Sequence, residues 1–309
     1  MAQKIIIDTD PGIDDAMAIL YAFLDPEIDL IGLTSIFGNV TIDTATRNAL
    51  RLVEMAKSDI PVARGAEKPL VQPLKLPATY VHGESGFGDV PAATPSLKAV
   101  SEPAHEFICR MAHAYPGEII LCPIGPLTNI ALALDHDPSV AEKIKSVTVM
   151  GSSLHEGGNV TPYAEANIWQ DPHAADAVLS ASWPVTLIGL DVTHRIVCDE
   201  DDFNELAQKA PTLGGFLQEA VQFYMDFHRR DERNPVDGCH MHDPSAVLSV
   251  IHRDLFSFDE TPVRVILDGE RLGETVADSD IARAPVTFAS KIDSEGVKRR
   301  FMDTISCGF

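Results

Sequence analysis

Apolar runs of strand length recur along this chain, and stretches with helical spacing fall between them. Residues 4–8 read as a strand and 14–24 as a helix; 29–35 is strand-like, and 41–57 is helical with Ala45, Ala49, Leu52, Val53 and Ala56 on one face. Ile119–Pro123, 147–150 and 185–190 are further apolar runs. Strand and helix in alternation give a parallel sheet that must be covered on both faces. The pattern predicts an α/β fold, a single domain over 1–309 with a mostly parallel sheet flanked by helices. Residues 291–309 read as a closing helix. Two stretches break the alternation: 69–103 holds six prolines around His82-Gly83-Glu84-Ser85-Gly86, and 229–242 is polar and rich in turn residues. Long loops in compact domains are commonly lids or binding loops, which makes both candidate flaps.

Open α/β sheets bind ligands at the carboxyl ends of their strands, and there the sequence concentrates acid. Four carboxylates (Asp8, Asp10, Asp14, Asp15) fall within eight residues at the end of the predicted first strand. Asp8 and Asp10 share a side of an extended chain, Pro11-Gly12 turns it, and Asp14-Asp15 open the next helix. Helix capping accounts for Asp14 or Asp15 but not for Asp8 and Asp10. Like charges this close raise one another's pKa unless a cation sits among them, and hard oxygen donors favour Ca²⁺ or Mg²⁺ over zinc. An EF-hand loop starting at Asp8 fails, because Gly12 takes its fifth position and Ile13 its sixth. The Asp-x-Asp of haloacid-dehalogenase-type phosphotransferases matches Asp8-Thr9-Asp10, but Gly12 stands where that family has Thr or Val, and no segment resembles a phosphate cradle.

Other predicted strand ends converge on the same edge. Asn39 follows the second strand, Ile124-Gly125-Pro126-Leu127-Thr128-Asn129 the third long apolar one, Met150-Gly151 the fourth and Asp191-Val192-Thr193-His194 the fifth. Asn159 precedes Glu165-Ala166-Asn167, in which Glu165 and Asn167 point the same way if the segment is extended, and His242-Asp243-Pro244 opens a helical run. Amides, carboxylates and a histidine suit a polyhydroxylated neutral ligand beside a metal, since they offer both donors and acceptors.

Charge narrows the partners. With 24 Lys+Arg against 46 Asp+Glu the net charge is −22, which repels phosphate backbones and anionic lipid and argues against nucleic acid and membrane surfaces. The apolar triplet Ile5-Ile6-Ile7 is shorter than the ~7–15 residues of a signal-peptide core. Residues 16–24, nine apolar positions, make less than a membrane span. Cys109, Cys122, Cys198, Cys239 and Cys307 are never spaced C-x-x-C, and they read as reduced thiols of a cytoplasmic protein.

The segment Asp8-Thr9-Asp10-Pro11-Gly12-Ile13-Asp14-Asp15-Ala16 resembles the N-terminal signature of the inosine-uridine nucleoside hydrolase family at every fixed position. The likeness continues through Gly38-Asn39, His82-Gly83-Glu84-Ser85-Gly86, Gly125-Pro126-Leu127-Thr128-Asn129-Ile130-Ala131, Glu165-Ala166-Asn167 and His242-Asp243-Pro244, in order and over nearly the whole chain. The resemblance implies Ca²⁺-dependent hydrolysis of the N-glycosidic bond of ribonucleosides, for nucleoside salvage. It implies calcium held by Asp10, Asp15, Asp243 and the main-chain carbonyl of Ile124. Asp14 and Asn167 would take the ribose 2′- and 3′-hydroxyls, and Asn159 and Glu165 the 5′-hydroxyl. Asn39 would lie beside the attacking water and Met150 against the ribose. Asp10 would be the base and His242 the candidate leaving-group acid, with His82 and His240 as further base-side contacts. The family forms homodimers or homotetramers, so a homo-oligomer is expected. Two departures stand out: Ala166 stands where some relatives have Phe, and residues 223–240, which should face the nucleobase, do not match one subgroup's pattern. A calcium-dependent sugar or nucleoside sensor without turnover is the competing reading, together with the metal phosphotransferase.

Overall fold

Strand β1 (Gln3–Thr9) is an interior strand, third from one edge of an eight-stranded sheet. Ile5, Ile6 and Ile7 are fully buried, and their alternation feeds two cores: Ile5 and Ile7 pack into the one on one face of the sheet, Ile6 into the other. The computed structural model describes residues 2–308. Met1 and Phe309, which the 1–309 domain and the 291–309 helix include, lie outside the described residues.

β2 (Ile28–Ser35), β3 (Val62–Arg64), β4 (Ile119–Pro123), β5 (Ser146–Met150), β6 (Val185–Ile188), β7 (Phe256–Thr261) and β8 (Val286–Ile292) complete an eight-stranded sheet in the order β3-β2-β1-β4-β5-β6-β8-β7. All neighbours pair parallel except β7, which runs antiparallel to β8 at the edge. The fold is therefore α/β and mostly parallel, as the alternation predicts. The chain leaves β1 outward through β2 and β3, then returns to the other side of β1 as β4. That reversal opens a crevice at the carboxyl ends of β1 and β4, the place where such sheets bind ligands.

Two helices aim their N-termini at this crevice. Ile13–Leu24 is buried from Ile13 to Ala22, and Ala16, Ala18 and Ala22 keep its surface thin enough to lie against the sheet. It packs against His242–Ile251, so Asp14 and Asp15 at the start of one helix meet His242 and Asp243 at the start of the other. At their far ends His252 Nε2 lies 3.0 Å from both Tyr21 Oη and Asp25 Oδ2, a buried polar clamp that fixes the two helices together. Helix Ile42–Met55 begins at Thr41, which caps Thr44 N–H, and buries Ala45, Ala49, Leu52 and Val53.

Element boundaries depart from the sequence reading in two instructive places. β6 stops at Ile188 because Gly189 caps a one-turn helix, Leu190–Thr193. The closing helix spans only Ser294–Ser306, since residues 291 and 292 belong to β8 and Asp293 caps Gly296 N–H. Among the described residues no helix is long and apolar enough to cross a membrane.

Candidate active site

A cavity of about 470 Å³ opens over the crevice. Asp10, Asp14, Asn39, His82, Ile124, Met150, Asn159, Glu165, Asn167, His240, His242 and Asp243 all line it, so segments far apart in sequence meet there. Asp15 does not line the cavity but is fully buried.

The loop after β1 is fixed by its own carboxylates. Asp15 Oδ1 accepts from Thr9 Oγ1 at 2.5 Å, and its Oδ2 from Gly12 N at 2.9 Å and Asn39 Nδ2 at 3.1 Å. Asp10 Oδ2 accepts from Asn39 N at 2.6 Å, while Asp10 Oδ1 and Asp14 Oδ1 are buried with no hydrogen-bond partner among the described residues. Tyr224 Oη donates to Asp14 Oδ2 at 3.3 Å. Asp8 shares Asp10's side of the strand but turns away from the cavity: its Oδ1 accepts from Thr34 Oγ1 at 2.5 Å and Asn129 Nδ2 at 2.7 Å, and burial pushes it up to about 7.

Asp14, Asp15 and Asp243 each bring a carboxylate oxygen within 4.8 Å of the others. Burial, then the charge of Asp15, pushes Asp14 up to about 8 and holds Asp10 well above the usual carboxylate range. Burial, then Asp14, Asp15 and Asp10 in turn, does the same to Asp243. Among the described residues the basic group within ion-pair reach of these four is His82, 3.9 Å from Asp14, and burial holds that imidazole down to about 3, hence neutral. Crowded hard oxygens, two without partners and none with a cationic neighbour, fit a hard divalent cation. The Ile124 carbonyl accepts Asn167 Nδ2 at 3.0 Å and retains a second lone pair.

Glu165 corrects the extended reading of its segment. It is the N-cap of helix Ala166–Gln170, accepting from Asn167 N at 2.9 Å, Ile168 N at 3.1 Å and Ser152 N at 3.2 Å. Burial nonetheless pushes it up to about 7. Asn159 Oδ1 accepts from Ala166 N at 3.0 Å, which leaves its amide N–H groups for a ligand. Asn167 donates to Ile124 and Met150 carbonyls and keeps its Oδ1 as an acceptor.

Opposite the acids stands a wall of imidazoles that the sequence reading named only in part. His194, His228, His240 and His242 lie with ring centroids 4.9–6.4 Å apart, and Tyr224 bridges from His228 at 4.4 Å to His82 at 5.5 Å. Burial holds His240 down to about 4 and His242 well below the ordinary histidine range. His82 Nδ1 accepts the backbone N–H of Ile13 at 3.2 Å, and His240 Nε2 lies 3.1 Å from Asn234 Nδ2. Five histidines from four separate segments carry no common motif, so only the fold reveals the wall. Lys75, held down to about 8 by burial and packed 3.7 Å over the Trp169 ring, is the cation of the lining among the described residues.

A sequence profile described as inosine-uridine preferring nucleoside hydrolase matches residues 5–299. The chain is 40% identical to Uridine nucleosidase 1 of Arabidopsis thaliana over 306 residues, 96% of this chain and 90% of that protein. A plant nucleoside hydrolase superposes with TM-score 0.95 at 35% identity, covering 99% of each chain. The purine-preferring ribonucleoside hydrolase from Gardnerella vaginalis superposes with TM-score 0.94 at 32% identity, covering 99% of this chain and 98% of that one. A parallel sheet with an acidic crevice at its switch point and these likenesses make the protein an N-ribosylhydrolase, an enzyme that parts ribose from its base. The chain belongs to the inosine-uridine preferring nucleoside hydrolase family.

Proposed function

We propose that this enzyme hydrolyses purine or pyrimidine ribonucleosides to ribose and free base with a bound Ca²⁺, in nucleoside salvage, as a cytoplasmic homodimer or homotetramer. One observation carries the reading: among the described residues, Asp10 Oδ1 and Asp14 Oδ1 are buried without partners in an acid cluster that has no cationic side chain. Asp10, Asp15, Asp243 and the Ile124 carbonyl would hold the ion, and Asp14 and Asn167 Oδ1 would face the ribose diol. Bound there, calcium supplies positive charge that lowers the pKa of a nearby water and orients the sugar.

The chain's own groups then have distinct tasks. Asp10 accepts a proton from the water that attacks C1′, with Asn39 fixing that carboxylate through its backbone N–H. Glu165 and Asn159 orient the 5′-hydroxyl, and Met150 packs against the ribose. Acids and amide oxygens around the sugar stabilise oxocarbenium-like charge as the N-glycosidic bond lengthens. His242, as the imidazolium, would give its Nε2–H to the departing base and end as a neutral ring, and the proton that Asp10 takes from water balances the one His242 gives up. His82 and His240 face the base from either side, and the loops at 69–103 and 229–242 close over it as flaps.

The test is a steady-state panel of inosine, guanosine, adenosine, uridine and cytidine with their 2′-deoxy forms. Ribosides should be cleaved and deoxyribosides should fall by about 10²-fold or more, since they lack half of the diol. Asp10→Ala should lose about 10²–10⁴-fold in kcat. Binding of nucleosides without release of base would favour the sensor reading, and turnover of a generic phosphate ester alone the phosphotransferase.

A further inference from the structure

Thr193 ends the one-turn helix after β6, is fully buried, and places Oγ1 2.8 Å from His242 Nδ1. We propose that Thr193 is the positioning residue of the leaving-group donor: it holds the His242 ring so that Nε2–H, not Nδ1, faces the base. This inference rests on reading His242 as that donor.

A neutral imidazole has one nitrogen that donates and one that accepts. The Thr193 hydroxyl has a single hydrogen, and its partner among the described residues is His242 Nδ1. With the ring proton on Nδ1, that buried hydroxyl hydrogen would lose its acceptor and bear the full penalty of an unsatisfied donor. With the hydroxyl donating to Nδ1, both groups are satisfied and the ring proton sits on Nε2. The form that donates is the imidazolium: there the hydroxyl turns about its C–O bond and accepts from Nδ1–H, and after Nε2–H passes to the base the neutral ring keeps that same bond to Thr193, so Nδ1 is anchored throughout. His194, His240 and His228 ring centroids lie 5.5, 5.5 and 6.4 Å from that of His242, in packing rather than hydrogen-bond contact. Thr193 thus supplies the hydrogen bond that anchors Nδ1 and aims Nε2 at the base, the orienting task of the third member in nucleophile–base–orienter constellations.

The test compares calcium-loaded wild type, Thr193→Val, Thr193→Ser and His242→Ala. Substrates are the nucleoside the wild type cleaves best and p-nitrophenyl β-D-ribofuranoside, whose leaving group departs without protonation. Thr193→Val should lower kcat on the nucleoside about 10–100-fold, part of what general acid catalysis supplies, with KM and nitrophenyl turnover within about 3-fold of wild type. Thr193→Ser should restore most of the nucleoside kcat. Retained nitrophenyl turnover reports a folded site, and Thr193→Ala is the second hydroxyl deletion should valine not be accommodated. An unchanged nucleoside kcat, or equal losses on both substrates, would overturn the role of Thr193. If His242→Ala also loses equally on both, the donor reading beneath it falls; a selective loss in His242→Ala alone rejects Thr193 only.

Discussion

His228 is buried in the cavity wall, and neither ring nitrogen has a partner among the described residues. Burial, then the neighbouring His240, holds it down to about 2 from an ordinary 6.5. A base whose folded pKa is depressed contributes stability above the unfolded value, and that stability is lost as pH falls towards the folded one. Thermal unfolding of wild type should therefore drop more steeply than that of His228→Phe as pH goes from about 6.5 to about 4.5, by on the order of 2 kcal/mol. Parallel curves would show that the ring gains a partner when protonated. At this scale the sequence was legible where residues sit close along the chain. Asp10, Asp14 and Asp15 could be read from one loop, and Asn39, Glu165 and Asp243 from strand ends and helix starts. Thr193 could be placed at a strand end but not against His242, because that pairing depends on Gly189 turning the chain into a helix. Tyr224 and His228 lie one turn apart on helix Leu213–Arg230, and nothing local shows that its inner face meets a ligand.

Among elements, the loops after β1, β2 and β4 are built around one carboxylate. A Cβ on Gly125 would lie 2.4 Å from Asp10 Oδ1 and 2.9 Å from Ile36 Cγ2; one on Gly38, at φ +155°, would lie 2.1 Å from Asp10 Oδ2. Both glycines are thus the space that Asp10 occupies. Gly125→Ala must displace the carboxylate, and a shift near 1 Å is worth about 10²-fold in rate. We expect kcat/KM to fall by that order while the unfolding midpoint moves little. Gly215→Ala, on a helix with nothing within 4 Å of the added methyl, should leave activity unchanged. Equal activity of the two variants would mean that Asp10 tolerates movement. The parallel strands were readable from apolar runs because a sheet covered on both faces needs them. The edge pair β7 and β8 was missed as a pair because half-exposed edge strands alternate weakly and carry polar residues such as Asp259, Glu260 and Lys291.

At the scale of the whole molecule, the net charge of −22 divides into two parts. Asp10, Asp14, Asp15, Glu165 and Asp243 are buried at the crevice; the exposed acids bear on solubility and long-range repulsion. A cavity floored by acid and walled by neutral imidazole suits a substrate without charge. A nucleoside 5′-monophosphate brings its dianion towards Glu165, and once that carboxyl is ionised each pair of unit like charges within ~4–6 Å costs about 3–4 kcal/mol at an intermediate dielectric. Its kcat/KM should lie on the order of 10²-fold or more below that of the parent nucleoside. Comparable values for uridine and its 5′-phosphate would contradict this placement of the sugar. The measurement closest to the central claim is ribose release from uridine and inosine by one preparation assayed as purified, after chelator treatment, and after readdition of Ca²⁺. The account predicts release, its loss, and its return with calcium. Undiminished release from fully stripped protein, or none under any condition, would contradict it.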